Sequence, residues 1–395
     1  MKVKNVVIIN DYDYVQGGAS KVAIQTANIL KENNPRLNVY FFSGDHNDSS
    51  TIRADIICIC TNQGEALRDK NKFRGIVNGI YNFKAKKKLK ELLNKLEKEE
   101  TIIHVHGWTK CLSSSIFDIA FNMKFKTVLT LHDYFTACPN GGYFNYKKNE
   151  ICHFKPLSSK CIGCNCDSRN YLFKIYRVIR LFMQNKVVKL SDRLTDAIVI
   201  SKFSEEIIKK TINNDTKIHS VNNPIDLDQN PKIIDYKNNK YYLYVGRVSK
   251  EKGVDIFCNA VTKAKKKGIV VGDGPELNKL RVMFPNVRFI GWKNNDEVKR
   301  IMRGAKALVI PSRWYEGAPL TPLEALQYGI PIITSDCNAS VDYINSYNGK
   351  IFNIKKDDLS EILLNFSCKY RPSLNINYNY YDRIINVYNN VSNRY

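Results

Sequence analysis

The 395-residue chain contains no run of about 20 apolar residues, which excludes a membrane-spanning helix of ordinary length. Negative charge is also scarce. Asp and Glu number 38 against 61 Lys and Arg, a formal charge of +23. Such a balance implies an acidic partner: nucleotide phosphates, nucleic acid, or an anionic membrane surface carrying a lipid-phosphate acceptor. The opening Met1-Lys-Val-Lys-Asn-Val-Val-Ile-Ile-Asn10 is too short in apolar residues for a secretory signal and reads as a first strand. Without an export signal, the eleven cysteines are expected to be thiols or metal ligands rather than disulfides. The length and the 44% apolar content suit two domains, each with a full core.

Residues 307–331 organise the rest. Ala307 to Ile310 is an apolar run that suits a buried strand, and Pro311-Ser312 ends it. Pro319 and Pro322 fall in the first turn of an expected helix, where missing N–H groups cost little, and Gly329 is placed to cap its end. Glu316 lies in the loop and Glu324 in the helix, with Gly317 between them. The free amides of the first turn, at the positive end of the helix dipole, suit a phosphate. The two carboxylates can accept hydrogen bonds from sugar or ribose hydroxyls.

Three further motifs have the same character. Tyr241–Val245 is a strand that delivers Gly246 and Arg247, with Lys252-Gly253 after a tight turn. Arg forks onto phosphate oxygens, and Lys adds a point charge. Ile269-Val-Val-Gly272-Asp273-Gly274-Pro275 is a strand followed by glycines that let backbone approach a nucleotide. His132-Asp133 closes the strand Thr127–Leu131, at a carboxyl end that faces the crevice of an open α/β sheet.

Together these motifs resemble the retaining GT-B glycosyltransferases of family four, with their E-x7-E, G-R-x-x-x-E-K-G, G-D-G-P and H-D signatures. The resemblance covers most of the chain and is strongest over 241–334. It implies an α/β GT-B fold, with two facing Rossmann-like domains and an interdomain cleft. It also implies transfer of a hexosyl group from a nucleotide diphosphate sugar to a saccharide or lipid-linked saccharide acceptor, with retention, in bacterial surface-polysaccharide assembly. By the resemblance, Arg247 and Lys252 stabilise the departing diphosphate, Glu316 and His132 orient the donor sugar, and Glu324 holds the ribose. Gly246, Gly272, Gly274 and Gly317 admit the nucleotide. No Asp-x-Asp metal motif of the other glycosyltransferase fold stands out; Asp11-Tyr12-Asp13 has the spacing but follows the first strand. Catalysis is therefore expected to need no cofactor, with fixed cations meeting the charge.

In the N-terminal half, Gln16-Gly17-Gly18-Ala19-Ser20 lies between the first strand and a helix from about Ser20 to Lys31. Glycines at such a point let amides approach an anion or a sugar, so Gly17 and Gly18 are candidates for the acceptor side and donor phosphates. Strand-like runs at 39–42, 56–60, 102–106 and 127–131, with helical stretches between most of them, indicate a doubly wound parallel sheet. His104 and His106 lie at a strand end and are weaker candidates for an acceptor pocket. Cys161-Ile-Gly-Cys164-Asn-Cys166 has metal-ligand spacing, and Cys138 and Cys152 could complete a tetrahedral structural zinc site; reduced surface-loop thiols are the plainer alternative.

Two basic, apolar stretches remain. Residues 83–93 pair helically spaced leucines with a lysine face, read as a solvated surface or as a patch for anionic lipid. Residues 169–190 place Tyr171, Leu172, Ile175, Ile179 and Phe182 on one face, flanked by Lys174, Arg177 and Arg180. They read equally as a core-packed helix or as one lying on a membrane leaflet.

The domains are expected at 1–225, with a Cys-rich insertion over 138–166, and at 226–372, with a tail at 373–395 that crosses back to the first domain. The protein is expected in the cytoplasm, at the inner face of the membrane. The runner-up is a basic nucleic-acid-binding protein, although the lysines are dispersed and no nucleic-acid motif occurs; a same-fold epimerase or phosphorylase is the other. No nucleic-acid partner is assigned.

Overall fold

The computed structural model describes residues 2–225, 228, 231–368 and 379–394. The expected boundary at 225/226 and the expected start of the tail at 373 touch residues outside that set. The chain divides into two compact units: Met1–Gly141, Phe154–Pro224 and Tyr378–Tyr395 form the first, Gly142–His153 and Ile225–Asn377 the second.

The strands follow the apolar runs. The first unit holds β1 (Asn5–Tyr12), β2 (Asn38–Asp45), β3 (Ile57–Cys60), β4 (Thr101–Val105) and β5 (Lys126–Leu131). A two-stranded hairpin of β6 (Phe144–Asn145) and β7 (Glu150–Ile151) belongs to the second unit, so the insertion expected within the first domain is divided. Here the Tyr143 ring meets that of Tyr315 edge-on, with centroids 6.4 Å apart. β8 (Asp196–Val199) and β9 (Lys217–Ser220) complete the first sheet, in the order β3-β2-β1-β4-β5-β8-β9 with every pairing parallel.

All eight residues of β1 are buried, as a central strand covered on both faces requires. One face packs under the helix Gly18–Asn33 and the C-terminal helix Tyr380–Ser392. Ala23, Ala27 and Leu30 of the first meet Tyr380, Ile384, Tyr388 and Val391 of the second in one core with Val6, Ile8 and Phe41. The C-terminal helix is thus part of the first unit's core.

The second unit's sheet is built from β10 (Tyr241–Val245), β11 (Lys267–Val271), β12 (Arg288–Phe289), β13 (Ala305–Ile310), β14 (Ile332–Ser335) and β15 (Gly349–Phe352). Its order is β12-β11-β10-β13-β14-β15, again parallel throughout. Apolar cores cover both faces, one around Phe257 and Val309, the other around Leu243 and Leu326. The link from β10 to β11, short as it is, keeps the crossover helix Val254–Lys263.

Tyr388 is fully buried, and its hydroxyl lies 2.8 Å from His104 Nδ1. Replacing Tyr388 by Ala leaves a cavity and takes away the partner of His104 Nδ1. It is expected to destabilise the first unit by about 3–5 kcal/mol, measured by urea unfolding; a loss below ~1 kcal/mol would show that the C-terminal helix is dispensable to this core.

Candidate functional site

In the second unit the strand order reverses between β10 and β13. The loops leaving the carboxyl ends of these neighbours flank a crevice, the place where open α/β sheets bind ligands. The loop after β10 carries Gly246 and an exposed Arg247, then a short turn over Lys250–Lys252. The loop after β11 carries Gly272 and Gly274. It is tied to the first by the Gly246 amide donating to the Val271 carbonyl (3.0 Å) and the Val248 amide to the Asp273 carbonyl (2.9 Å).

Two glycines set the closeness of these loops. Gly253 sits at φ +68°, and a Cβ there would lie 1.9 Å from the Pro311 carbonyl oxygen. A Cβ on Gly272 would lie 1.9 Å from the Gly246 carbonyl oxygen. Backbone rests directly on backbone, which only glycine permits.

Lys252 and Glu316 meet in this crevice. The ammonium pairs with Glu316 Oε1, and the buried Ser312 donates its hydroxyl to Oε2 at 2.8 Å. Lys252 Nζ also stands 5.4 Å from the centre of the Trp314 ring. The backbone of Glu316 is held in turn: its carbonyl accepts the Ala339 amide at 2.9 Å. Glu324 is partly buried in the helix Thr321–Gln327, and Gly317 is partly buried in the loop before it.

Sequence reasoning overlooked the support beneath this pair. Glu251 is buried and accepts the Ser249 hydroxyl at 2.7 Å, while its carbonyl accepts the Arg313 amide at 2.8 Å. Arg313 forks onto Asp255 at 2.6 and 2.7 Å. Glu251 stood inside a recognised motif and could have been found; Asp255, in the following helix, gave no signal.

In the first unit, Gly17 caps the helix Gly18–Asn33. Both glycines are exposed, with no atom within 4 Å of where a Cβ would stand. His132 leaves β5 beside His106, which leaves β4. His106 Nδ1 and His132 Nε2 lie 2.9 Å apart, and the rings stack at 5.2 Å. Burial lowers the pKa of His132 to about 4 and that of His106 well below the usual imidazole value. Both rings are therefore neutral at pH 7, and whichever nitrogen donates fixes the tautomer of the other. Asp133 is shifted the opposite way, up to about 6, because burial outweighs the hydrogen bond from the Phe135 amide.

His104 does not line a pocket. It is fully buried between Tyr388 and Thr130, with Thr130 Oγ1 at 2.7 Å from Nε2. Nor do the carboxylates of Asp11-Tyr12-Asp13 stand open. Asp11 accepts the amides of Lys110, Cys111 and Leu112, and Asp13 lies 2.7 Å from His46 Nδ1.

The proposed zinc ligands are divided. Cys138, Cys161 and Cys164 belong to the first unit and Cys152 to the second. Cys161 and Cys166 instead face the ammonium of the buried Lys174, at 3.5 and 3.3 Å. Among the described residues, no group of three or more His, Cys, Asp or Glu is arranged to hold a metal ion.

Residues 227–370 match the family Glycosyl transferases group 1. The match spans most of the second unit, and the chain is read from it as a glycosyltransferase. An uncharacterised 41.2 kDa protein of the cps region of Klebsiella pneumoniae is 25% identical over 305 residues, covering 67% of this glycosyltransferase and 81% of that protein. The UDP-Gal:alpha-D-GlcNAc-diphosphoundecaprenol alpha-1,3-galactosyltransferase of Escherichia coli is 26% identical over 216 residues, 48% of this chain and 53% of that one. The apo structure of the lipopolysaccharide outer core galactosyltransferase WaaB superposes with a TM-score of 0.62 at 18% identity, covering 98% of this chain and 99% of that one. That likeness shows the fold, GT-B.

The buried imidazole gives a pH test of the first unit. Burial lowers the pKa of His104 to about 3. Below the ordinary value of about 6.5, the unfolded chain takes up a proton that the folded chain refuses. His104 therefore costs stability as pH falls from there toward 3. Gln at 104 lacks this term, so His104→Gln should be less stable than wild type at pH 7.5, with the gap narrowing toward pH 4. Paired thermal unfolding across that range reads it; a constant gap would contradict the assignment.

Proposed function

We propose that this glycosyltransferase moves a hexosyl group from a nucleotide diphosphate sugar to a saccharide acceptor, with retention of anomeric configuration. The observation that carries the reading is the Lys252–Glu316 pair held at the strand-order reversal of the second sheet, among loops packed backbone to backbone. A diphosphate leaving group gains charge as the glycosidic bond to phosphate breaks, and fixed cations lower that barrier. Lys252 and the exposed Arg247 supply two such cations. When the diphosphate engages the ammonium, Glu316 is released from part of its charge pairing and can accept a hydroxyl of the donor sugar. Glu324 is assigned to the ribose, and Gly246, Gly272, Gly274 and Gly317 to close approach by the nucleotide. In the first unit, His132 is assigned to the donor sugar, and Gly17 and Gly18 to the acceptor side and the phosphates.

The cps-region relative and the diphosphoundecaprenol-specific galactosyltransferase support assembly of a surface polysaccharide, capsule or lipopolysaccharide, on a lipid-linked acceptor. No described helix is long and apolar enough to cross a membrane; we place the enzyme in the cytoplasm, peripheral to the inner face of the membrane.

The test is a panel of nucleotide diphosphate hexoses, with release of nucleoside diphosphate as readout and the product anomer read by proton NMR. Lys252→Ala and Arg247→Ala are each expected to lower kcat by about 10²–10³-fold. Wild-type turnover in both variants would reject the site. Because the cations are side chains, turnover is expected to persist in excess EDTA; its collapse there, restored by a divalent metal, would reject the cofactor-free reading.

A further inference from the structure

The helix Tyr171–Phe182 holds its cations inward and leaves much of its apolar side-chain surface outside. Its cations point inward: Lys174 is 1% exposed and sits against the Cys161 and Cys166 thiols, Arg177 pairs with the buried Asp167 at 3.0 Å, and Arg180 donates to the Thr109 carbonyl at 2.8 Å. Val178 and Leu181 are buried beside them, but Leu172 is 78%, Ile179 46% and Phe182 54% exposed, followed by Val187 at 57%. A helix facing water shows the reverse arrangement. Lys174, Arg177 and Arg180, expected to flank the apolar face, are held inward by loop thiols, a carboxylate and a carbonyl.

The neighbouring helix Lys72–Ile80 packs beside it and also turns apolar side chains outward, although its own Lys72 and Arg74 are exposed. Phe73 is 77% exposed, and Phe83, which opens the next helix, is 66% exposed. Between them runs an apolar groove of about 470 Å³ walled by Val77, Ile80, Phe83, Met183 and Val187. The carboxylate that reaches it, Asp118, is neutralised by Lys86 at 2.6 Å. Exposed lysines flank these segments in sequence: Lys70, Lys72, Lys84, Lys87, Lys186 and Lys189.

We infer that this face of the first unit docks on an anionic phospholipid bilayer, with the apolar side chains in the acyl layer and a hydrocarbon chain in the groove. Contiguous exposed apolar surface flanked by lysines matches a boundary that is oily within and negative at its rim. The lysine stems can lie along the apolar layer while their ammonium groups reach the phosphates. The inference deepens the lipid-linked acceptor reading. It is tested without donor or acceptor, so binding and turnover can fail separately.

The experiment is co-sedimentation of the full chain with phosphatidylcholine vesicles and with vesicles that also contain phosphatidylglycerol. The chain should partition onto the anionic vesicles and release as salt rises. Phe73→Ser with Leu172→Ser, and separately Lys84→Glu with Lys87→Glu, should each lower partitioning by about tenfold or more. All four side chains are solvent-facing, so folding and solution turnover should be unchanged. Absence of partitioning, or variants that bind like wild type, would overturn the inference. So would a wild-type dimer by sedimentation velocity that the apolar variant converts to monomer, since the face would then join two copies of the chain.

Discussion

Backbone-to-backbone contact at two glycines governs the second unit. The crevice exists because the loops after β10, β11 and β13 touch through their main chains, at Gly272 against Gly246 and at Gly253 against Pro311. Any side chain at either position would drive a carbonyl aside and move the whole loop. Lys252 is the residue just before Gly253, and Glu316 is five residues after Pro311. The pairing of ammonium and carboxylate thus follows from a steric fact about two residues that carry no charge. The polar support beneath them, Ser249 to Glu251 and Arg313 to Asp255, then fixes the direction in which each loop turns. A site with fixed charges needs no reorganisation when charge develops on a ligand, which is the physical basis of the proposed catalysis.

The first unit solves a different problem with the same topology. Three imidazoles line up along β4 and β5, and burial keeps each neutral. The innermost, His104, is sealed by Tyr388, so the C-terminal helix reaches the row through one hydroxyl. The outermost, His132, is partly buried and oriented by His106. A neutral ring presents either a donor or an acceptor at its free nitrogen, and the neighbour decides which. That suits recognition of a hydroxyl better than neutralisation of a phosphate.

The parallel sheets were legible because their strands are apolar runs ended by Gly, Pro or polar residues, and a buried strand has that signature. β15 was not, since two of its four residues, Lys350 and Ile351, face solvent at a sheet edge. Lys252 and Glu316 were legible as members of motifs, but their mutual contact was not, because 64 residues separate them. The burial of His104 depends on a tyrosine 284 residues away and had no local sign. The Cys-rich stretch was hard to read for a related reason. Spacing in sequence suggested that Cys138, Cys152, Cys161 and Cys164 share a site, whereas the chain passes into the second unit from Gly142 to His153, a segment that includes Cys152.

The large positive charge is the last feature to place, and its distribution matters more than its sum. Arg313, Lys252, Arg177 and Lys86 are paired with carboxylates and hold loops in place. Lys174 faces thiols in the interior. Except for Lys252, which also faces the proposed diphosphate site, these cations hold the fold together and contribute little to the field outside the protein. What the surroundings meet is the exposed remainder, and over the helices Lys72–Ile80 and Tyr171–Phe182 that remainder lies beside unsheltered Phe, Leu and Val side chains. Water alone would select against such a surface, because it leaves apolar area hydrated while cations are held inside against their own desolvation. The arrangement becomes favourable once the outward medium is itself apolar with a negative rim, and the inward turn of Lys174, Arg177 and Arg180 then clears the helix face of charges that could not follow it into hydrocarbon.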